Sequence, residues 1–116
     1  MKTENGPHAG QGMALQWVYV TVPNRDAALV LAKTLVTERL AACANVMDGV
    51  QSVYWWEGAI VEDAEAVVVL KTQKSLVPHL TLRIQDLHSY DCPCIVALDI
   101  QDGNPDFLKW IVDETS

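Results

Sequence analysis

The sequence predicts an α+β domain of the ferredoxin-like kind, a βαββαβ sandwich with a long central hairpin and a short C-terminal helix. Three observations predict it. The hydrophobic period switches along the chain in the order strand, helix, strand, strand, helix, strand. The stretch from Glu38 to Gly58 reads as extended chain that closes on a Glu57-Gly58 turn behind Trp55 and Trp56. The next apolar run follows so closely that an antiparallel hairpin is the short connection. Finally, the segments flanking the hairpin are two similar halves, each a strand and a helix, which is the arrangement that packs two helices on one face of a four-stranded antiparallel sheet.

Leu15 to Val22 (LQWVYVTV) is rich in β-branched and aromatic residues and predicts the first strand, ended by Pro23. Asn24 supplies an N-cap, and Ala27, Ala28, Leu31, Ala32, Leu35 and Val36 recur at helical spacing as far as Glu38. Within the long extended stretch, Asp48-Gly49 predicts a bulge or sharp bend. The returning arm runs from Ile60 into Ala66-Val67-Val68-Val69-Leu70-Lys71-Thr72, with the acidic residues Glu62, Asp63 and Glu65 expected near the hairpin tip. Ser75 is placed to cap a second helix, with Pro78 in its first turn and Leu76, Leu80, Ile84 and Leu87 as its apolar stripe. His88 to Pro93 reads as a loop, Cys94 to Ile100 as the last strand, Asp102 to Pro105 as a turn, and Phe107, Leu108, Trp110 and Ile111 as a short closing helix.

The 116 residues are enough for one domain, and half are apolar. Residues 1–13 read as a disordered lead without the apolar middle of a signal peptide, ahead of a single domain over residues 14–116. The formal net charge of -7 argues against nucleic-acid binding and against an anionic membrane surface. No apolar run reaches the ~18 residues of a membrane span. An odd number of cysteines excludes a complete internal disulfide framework, and reduced thiols point to the cytoplasm.

Val67 to Leu70 and Ile95 to Leu98 are continuous apolar runs, the pattern of a sheet covered on both faces. Two helices cover one face, so the other is expected to meet a second copy of the chain. An uncovered patch of that size would be an aggregation liability.

Cys92-Pro93-Cys94 places two thiols two residues apart, with His88 four residues earlier. Thiolates and an imidazole suit Cu(I) or Zn(II), so copper or zinc is the expected ion and no organic cofactor is. Cys43 joins this set if its strand starts near the loop or a neighbouring subunit brings it there. Against this stands the ordinary packing of free cysteine as a small apolar residue. A thiol–imidazole enzyme built on Cys43 and His88 lacks a supporting motif. No nucleophile elbow, phosphate-binding glycine loop or dinucleotide fingerprint is present, and the protein is not expected to be an enzyme.

Glu38-Arg39-Leu40-Ala41-Ala42-Cys43-Ala44-Asn45, Tyr54-Trp55-Trp56-Glu57-Gly58, Lys71-Thr72, His88-Ser89-Tyr90 with Pro93, and Leu108-Lys109-Trp110 together resemble the CutA family of divalent-cation tolerance proteins. The resemblance covers roughly Leu15 to Ile111 and implies a compact homotrimer like that of the PII signalling proteins, with copper binding as its usual description. It also implies a ligand cleft at Arg39, Asn45, Trp56, Glu65, Lys71, His88 and Tyr90. Plain structural roles compete there: Arg39 as a helix C-terminal cation, the tryptophans as packing, Lys71 and Glu65 as a surface pair. Two positions depart from the family pattern: Ser89 stands where proline is usual, and Cys94 where glutamate is usual. The reading is a noncatalytic trimeric metal-tolerance protein. A PII-like regulatory module with an intersubunit ligand is the alternative, and a small enzyme the third.

Overall fold

The computed structural model describes residues 14–116; the N-terminal lead expected from the sequence lies outside them. The expected α+β fold is present. Strands β1 (Leu15–Val22), β2 (Cys43–Trp56), β3 (Ala59–Gln73) and β4 (Ile95–Ile100) form one sheet in the order β2-β3-β1-β4, with every pairing antiparallel. Helices α1 (Arg25–Thr37) and α2 (Val77–Leu87) pack on one face, and α3 (Pro105–Glu114) closes the chain.

The main core lies between the sheet and the first two helices. Val18, Val20 and Val22 of β1 and Ala66, Val68 and Leu70 of β3 meet Ala28, Leu31 and Leu35 of α1 and Leu80 and Ile84 of α2. These alternate along the strands and recur at helical spacing along the helices, so one face of each element is consumed. The expected stripe on α2 is narrower at its ends: Leu76 is half-buried and Leu87 is open.

The start of α1 is as expected, with Asn24 Oδ1 accepting from the Ala27 N–H at 2.8 Å. Its end corrects the length of the extended stretch, which begins at Cys43 rather than at Glu38. Glu38 is the C-cap. Arg39 follows with φ of 59°, the left-handed region. The Arg39 N–H donates to the Val36 carbonyl and the Leu40 N–H to that of Leu35, both at 3.0 Å. This pair of bonds is a Schellman closure, with arginine where glycine is usual. Leu35 and Leu40, both buried in the core, supply its apolar contact.

The bulge expected at Asp48-Gly49 lies between Met47 and Val50, and Gly49 has φ of 74°. It sets the face on which later side chains stand. Before it, Asn45 and Met47 are opposite Val69 and Val67; after it, Val50 and Ser52 are opposite Glu65 and Asp63. Beyond the bulge the hairpin has no third strand, because β1 pairs with β3 only from Ala66 onward. The arm ends in a two-residue turn with positive φ at both Glu57 (50°) and Gly58 (82°), the type I′ geometry that fits strand twist. The acidic residues are not at this tip. Glu62 and Asp63 stand mid-arm and Glu65 faces Val50 at the bulge.

Ser75 does not cap α2. A single 3-10 turn, Lys74–Leu76, leads straight from β3 into the helix, and no side chain bonds the helix start. The Val77 N–H donates to the Lys74 carbonyl, so backbone closure takes the place of a side-chain cap.

The second face of the sheet is only partly covered. Helix α3 lies over one end, where Leu108 and Ile111 meet Leu15 and Ala42. Beyond it, Trp17, Met47, Val96 and Leu98 remain open around the buried Val67 and Val69.

Candidate metal and ligand site

The loop after α2 carries most of the polar chemistry. His88 ends the helix, its N–H donating to Ile84 O at 2.8 Å. Its ring sits between two main-chain groups, with Nε2 at 2.7 Å from the Thr21 carbonyl and Nδ1 at 3.0 Å from the Tyr90 N–H. A carbonyl only accepts and an N–H only donates. Nε2 therefore carries the proton and Nδ1 presents its lone pair, which makes His88 a neutral imidazole with both nitrogens engaged. The Tyr90 ring lies against it, centroids 4.6 Å apart. The Tyr90 hydroxyl donates to Glu65 Oε2 at 2.9 Å, and Glu65 is only 8% exposed. Burial first, and then the Glu65 carboxylate, push the Tyr90 phenol up to about 12.

A second tyrosine–carboxylate pair adjoins this one. Tyr54 donates to Asp63 Oδ2, and that bond raises the Tyr54 phenol above its ordinary value. Asp63 and Glu65 alternate along β3 and so share a face. Neither the Tyr54–Asp63 bond nor the role of the Thr21 carbonyl was read from the sequence. The alternation of Asp63 with Glu65 was the available signal for the first. A main-chain carbonyl leaves no signal at all.

The remaining cleft residues do not join this cluster within one chain. Lys71 Nζ donates to Asn45 Oδ1 at 2.6 Å, six residues along β3 from Glu65, with Val67 and Val69 between them. At ~3.3 Å per residue that is roughly 20 Å. Arg39 turns the other way and bonds the Glu114 carboxylate and carbonyl at 3.1 and 3.0 Å. Trp56 stands open at the hairpin tip. Of the seven cleft positions, the structure joins His88, Tyr90 and Glu65 as one group and Asn45 with Lys71 as another, and leaves Arg39 and Trp56 apart.

The metal set separates too. All three cysteines are free thiols, Cys43 half-buried and Cys92 and Cys94 exposed. Cys43 is in register with Lys71, and Lys71 with Trp17, whereas His88 is tied to Thr21 four residues further along β1. That is about 13 Å along the strand, before the sideways step across the sheet. The start of β2 is therefore not near the loop, and Cys43 and His88 do not meet within the chain. Among the described residues, no three His, Cys, Asp or Glu side chains are gathered for a metal ion. Cys43 instead lines an open, mostly apolar groove between α1 and β2, with Ala32, Val36 and Val46.

The family model of the CutA1 divalent ion tolerance protein matches residues 16–114. The divalent-cation tolerance protein CutA of Pyrococcus horikoshii is 47% identical over 98 residues, 84% of this chain and 95% of that protein. The chloroplastic protein CutA 1 of Oryza sativa is 46% identical over 98 residues, again 84% of this chain but 55% of that protein, so the chain spans about half of it. The crystal structure of CutA1 from Oryza sativa superposes with a TM-score of 0.87 at 43% identity, covering 90% of this chain and 95% of that one. The Thermus thermophilus protein gives 0.86 at 43% identity, covering 88% and 99%. No helix among the described residues is long and apolar enough to cross a membrane.

Proposed function

The chain belongs to the CutA1 family of divalent ion tolerance proteins, and from that premise we propose that it acts as a noncatalytic homotrimer that binds copper or another divalent metal in the cytoplasm. The observation that carries the assembly is the unfinished second face of the sheet. Trp17, Met47, Val96 and Leu98 lie open there, and α3 covers only one end. The hairpin arm adds Val53, Trp55, Trp56 and Ile60, exposed on a ribbon of two strands. Such a ribbon is marginal by itself in water. Packing the open faces of several copies against one another buries both features at once. The free thiols suit a reducing compartment, and metal binding is the activity that the family's tolerance role supports.

A regulatory reading has one observation in its favour. The open apolar face is bounded by the Asn45–Lys71 pair at one end and the Glu65–Tyr90–His88 group at the other. Packing between copies turns such ends into the polar walls of an intersubunit cleft, a common place for a small ligand.

Native mass spectrometry of the protein purified from cells tests both. The expected species has three times the 12.8 kDa mass of one chain and retains metal ions. A monomer ends the trimeric reading. A trimer that retains an organic ligand and no metal favours the regulatory one.

A further inference from the structure

We propose that Cys92 and Cys94 form a two-thiolate site for the soft monovalent ion Cu(I), which deepens the metal-binding reading above and rests on it. Both thiols are free and exposed, two residues apart with Pro93 between them. The other donors suggested by the sequence are spent or distant. Both nitrogens of His88 are held by the main chain, and Cys43 lies at the far end of β1's span. Two sulfurs are therefore what this loop offers. That donor set selects among metals, because zinc at a structural site takes four protein ligands, whereas Cu(I) favours thiolates and is satisfied by two.

The segment is held before any ion arrives. Tyr90 is pinned by its N–H to His88 and by its hydroxyl to Glu65. Ile95 enters β4 opposite Val20. Only residues 91–94 lie between these anchors. Pro93 fixes its own φ and disfavours helical backbone at Cys92, which lies in a bend, so little freedom is left to lose on binding. Cα atoms two residues apart are separated by at most about 7 Å, reached only in fully extended chain. At that limit they are at the long end of what a disulfide tolerates, roughly 4.4–6.8 Å. A thiolate–metal–thiolate bridge, with two bonds of about 2.3 Å in place of one S–S bond of about 2.05 Å, spans the gap more easily. On binding, two S–H bonds lose their protons to water and two S–Cu bonds form. No electron is transferred.

The test is an anaerobic Cu(I) titration of the reduced full-length protein against a chromophoric Cu(I) chelator, with copper-edge X-ray absorption to count sulfur neighbours. One Cu(I) per chain with two sulfur neighbours is expected, held more weakly as pH falls. Cys92→Ser and Cys94→Ser should each lower affinity by roughly a hundredfold, the upper end of what even a change outside the ligand set costs a metal site. Cys43→Ser, at a thiol held far from the loop by strand register, should leave it unchanged. Undiminished binding by the Cys92→Ser/Cys94→Ser variant, or loss of binding in Cys43→Ser, overturns the site. If that double variant still binds metal as tightly as before, the site fails while the broader metal-binding reading stands. Cu(I) held by this pair in a protein that sediments as a monomer leaves the site intact and removes only the trimer.

Discussion

Both ring nitrogens of His88 are taken by main-chain groups, so a residue that looks like a ligand in the sequence serves as a clasp between its loop and β1. The clasp extends through Tyr90 to the buried Glu65. Burial and the carboxylate both favour the neutral phenol, which titrates near 12 in the fold and near 10 when the chain is unfolded. The sign follows: this contribution to stability is complete below about pH 10 and is lost as pH rises from there towards 12. Glu65→Gln removes the negative charge and leaves the burial. Tyrosinate absorbance in an alkaline titration should then show Tyr90 ionising at lower pH than in the parent protein, though still above an exposed tyrosine; an unmoved titration would mean that Glu65 does not hold it. Arg39 makes a similar point. Its side chain ends on Glu114, and its backbone takes the left-handed turn that ends α1, so its position is accounted for without a ligand.

At the scale of elements, the long hairpin is set by two local devices. The Asp48-Gly49 bulge decides which β2 side chains share a face with Glu65, and the Glu57-Gly58 turn closes the arm. The turn needs positive φ at both positions, and glutamate is a poor residue for the first. Glu57→Asn should therefore stabilise the protein by about 0.5–1 kcal/mol, and Gly58→Ala should destabilise it by about 1–2 kcal/mol. Denaturant unfolding of the two variants checks the pair. Equal effects of the same sign would contradict the type I′ assignment. The α1–α2 contact is held differently, by two 2.8 Å bonds from the Arg83 guanidinium to the Glu38 carboxylate, which lower the Glu38 pKa. It ties the C-cap of one helix to the body of the next, and it was not visible in sequence because its partners are 45 residues apart.

At the scale of the molecule, the open face of the sheet is the feature on which the proposed assembly rests. Leu98→Glu places a charge on this face, on the edge strand β4 beside Trp17, its partner across β1 and β4. Burying that charge between subunits is costly, so the variant should sediment at lower mass than the parent protein while keeping its far-ultraviolet circular dichroism. An unchanged mass would show that this face is not the contact. The sequence by itself determined the strands, the helices, their order, the bulge and the doubly apolar strands, because these follow from local period, turn chemistry and composition. Leu15 to Val22, the Asn24 cap and the Asp48-Gly49 irregularity all stand where local rules put them. Only the tertiary structure decided where the extended stretch begins, how α2 starts, and which polar residues meet. Cys43 and His88 share a plausible chemistry in sequence, yet strand register holds them apart. His88, Tyr90 and Glu65 are joined because antiparallel pairing brings the end of β1 beside the part of β3 that faces the β2 bulge. Pairing across a sheet is a long-range property, set by how faces pack, and no local window of sequence contains it.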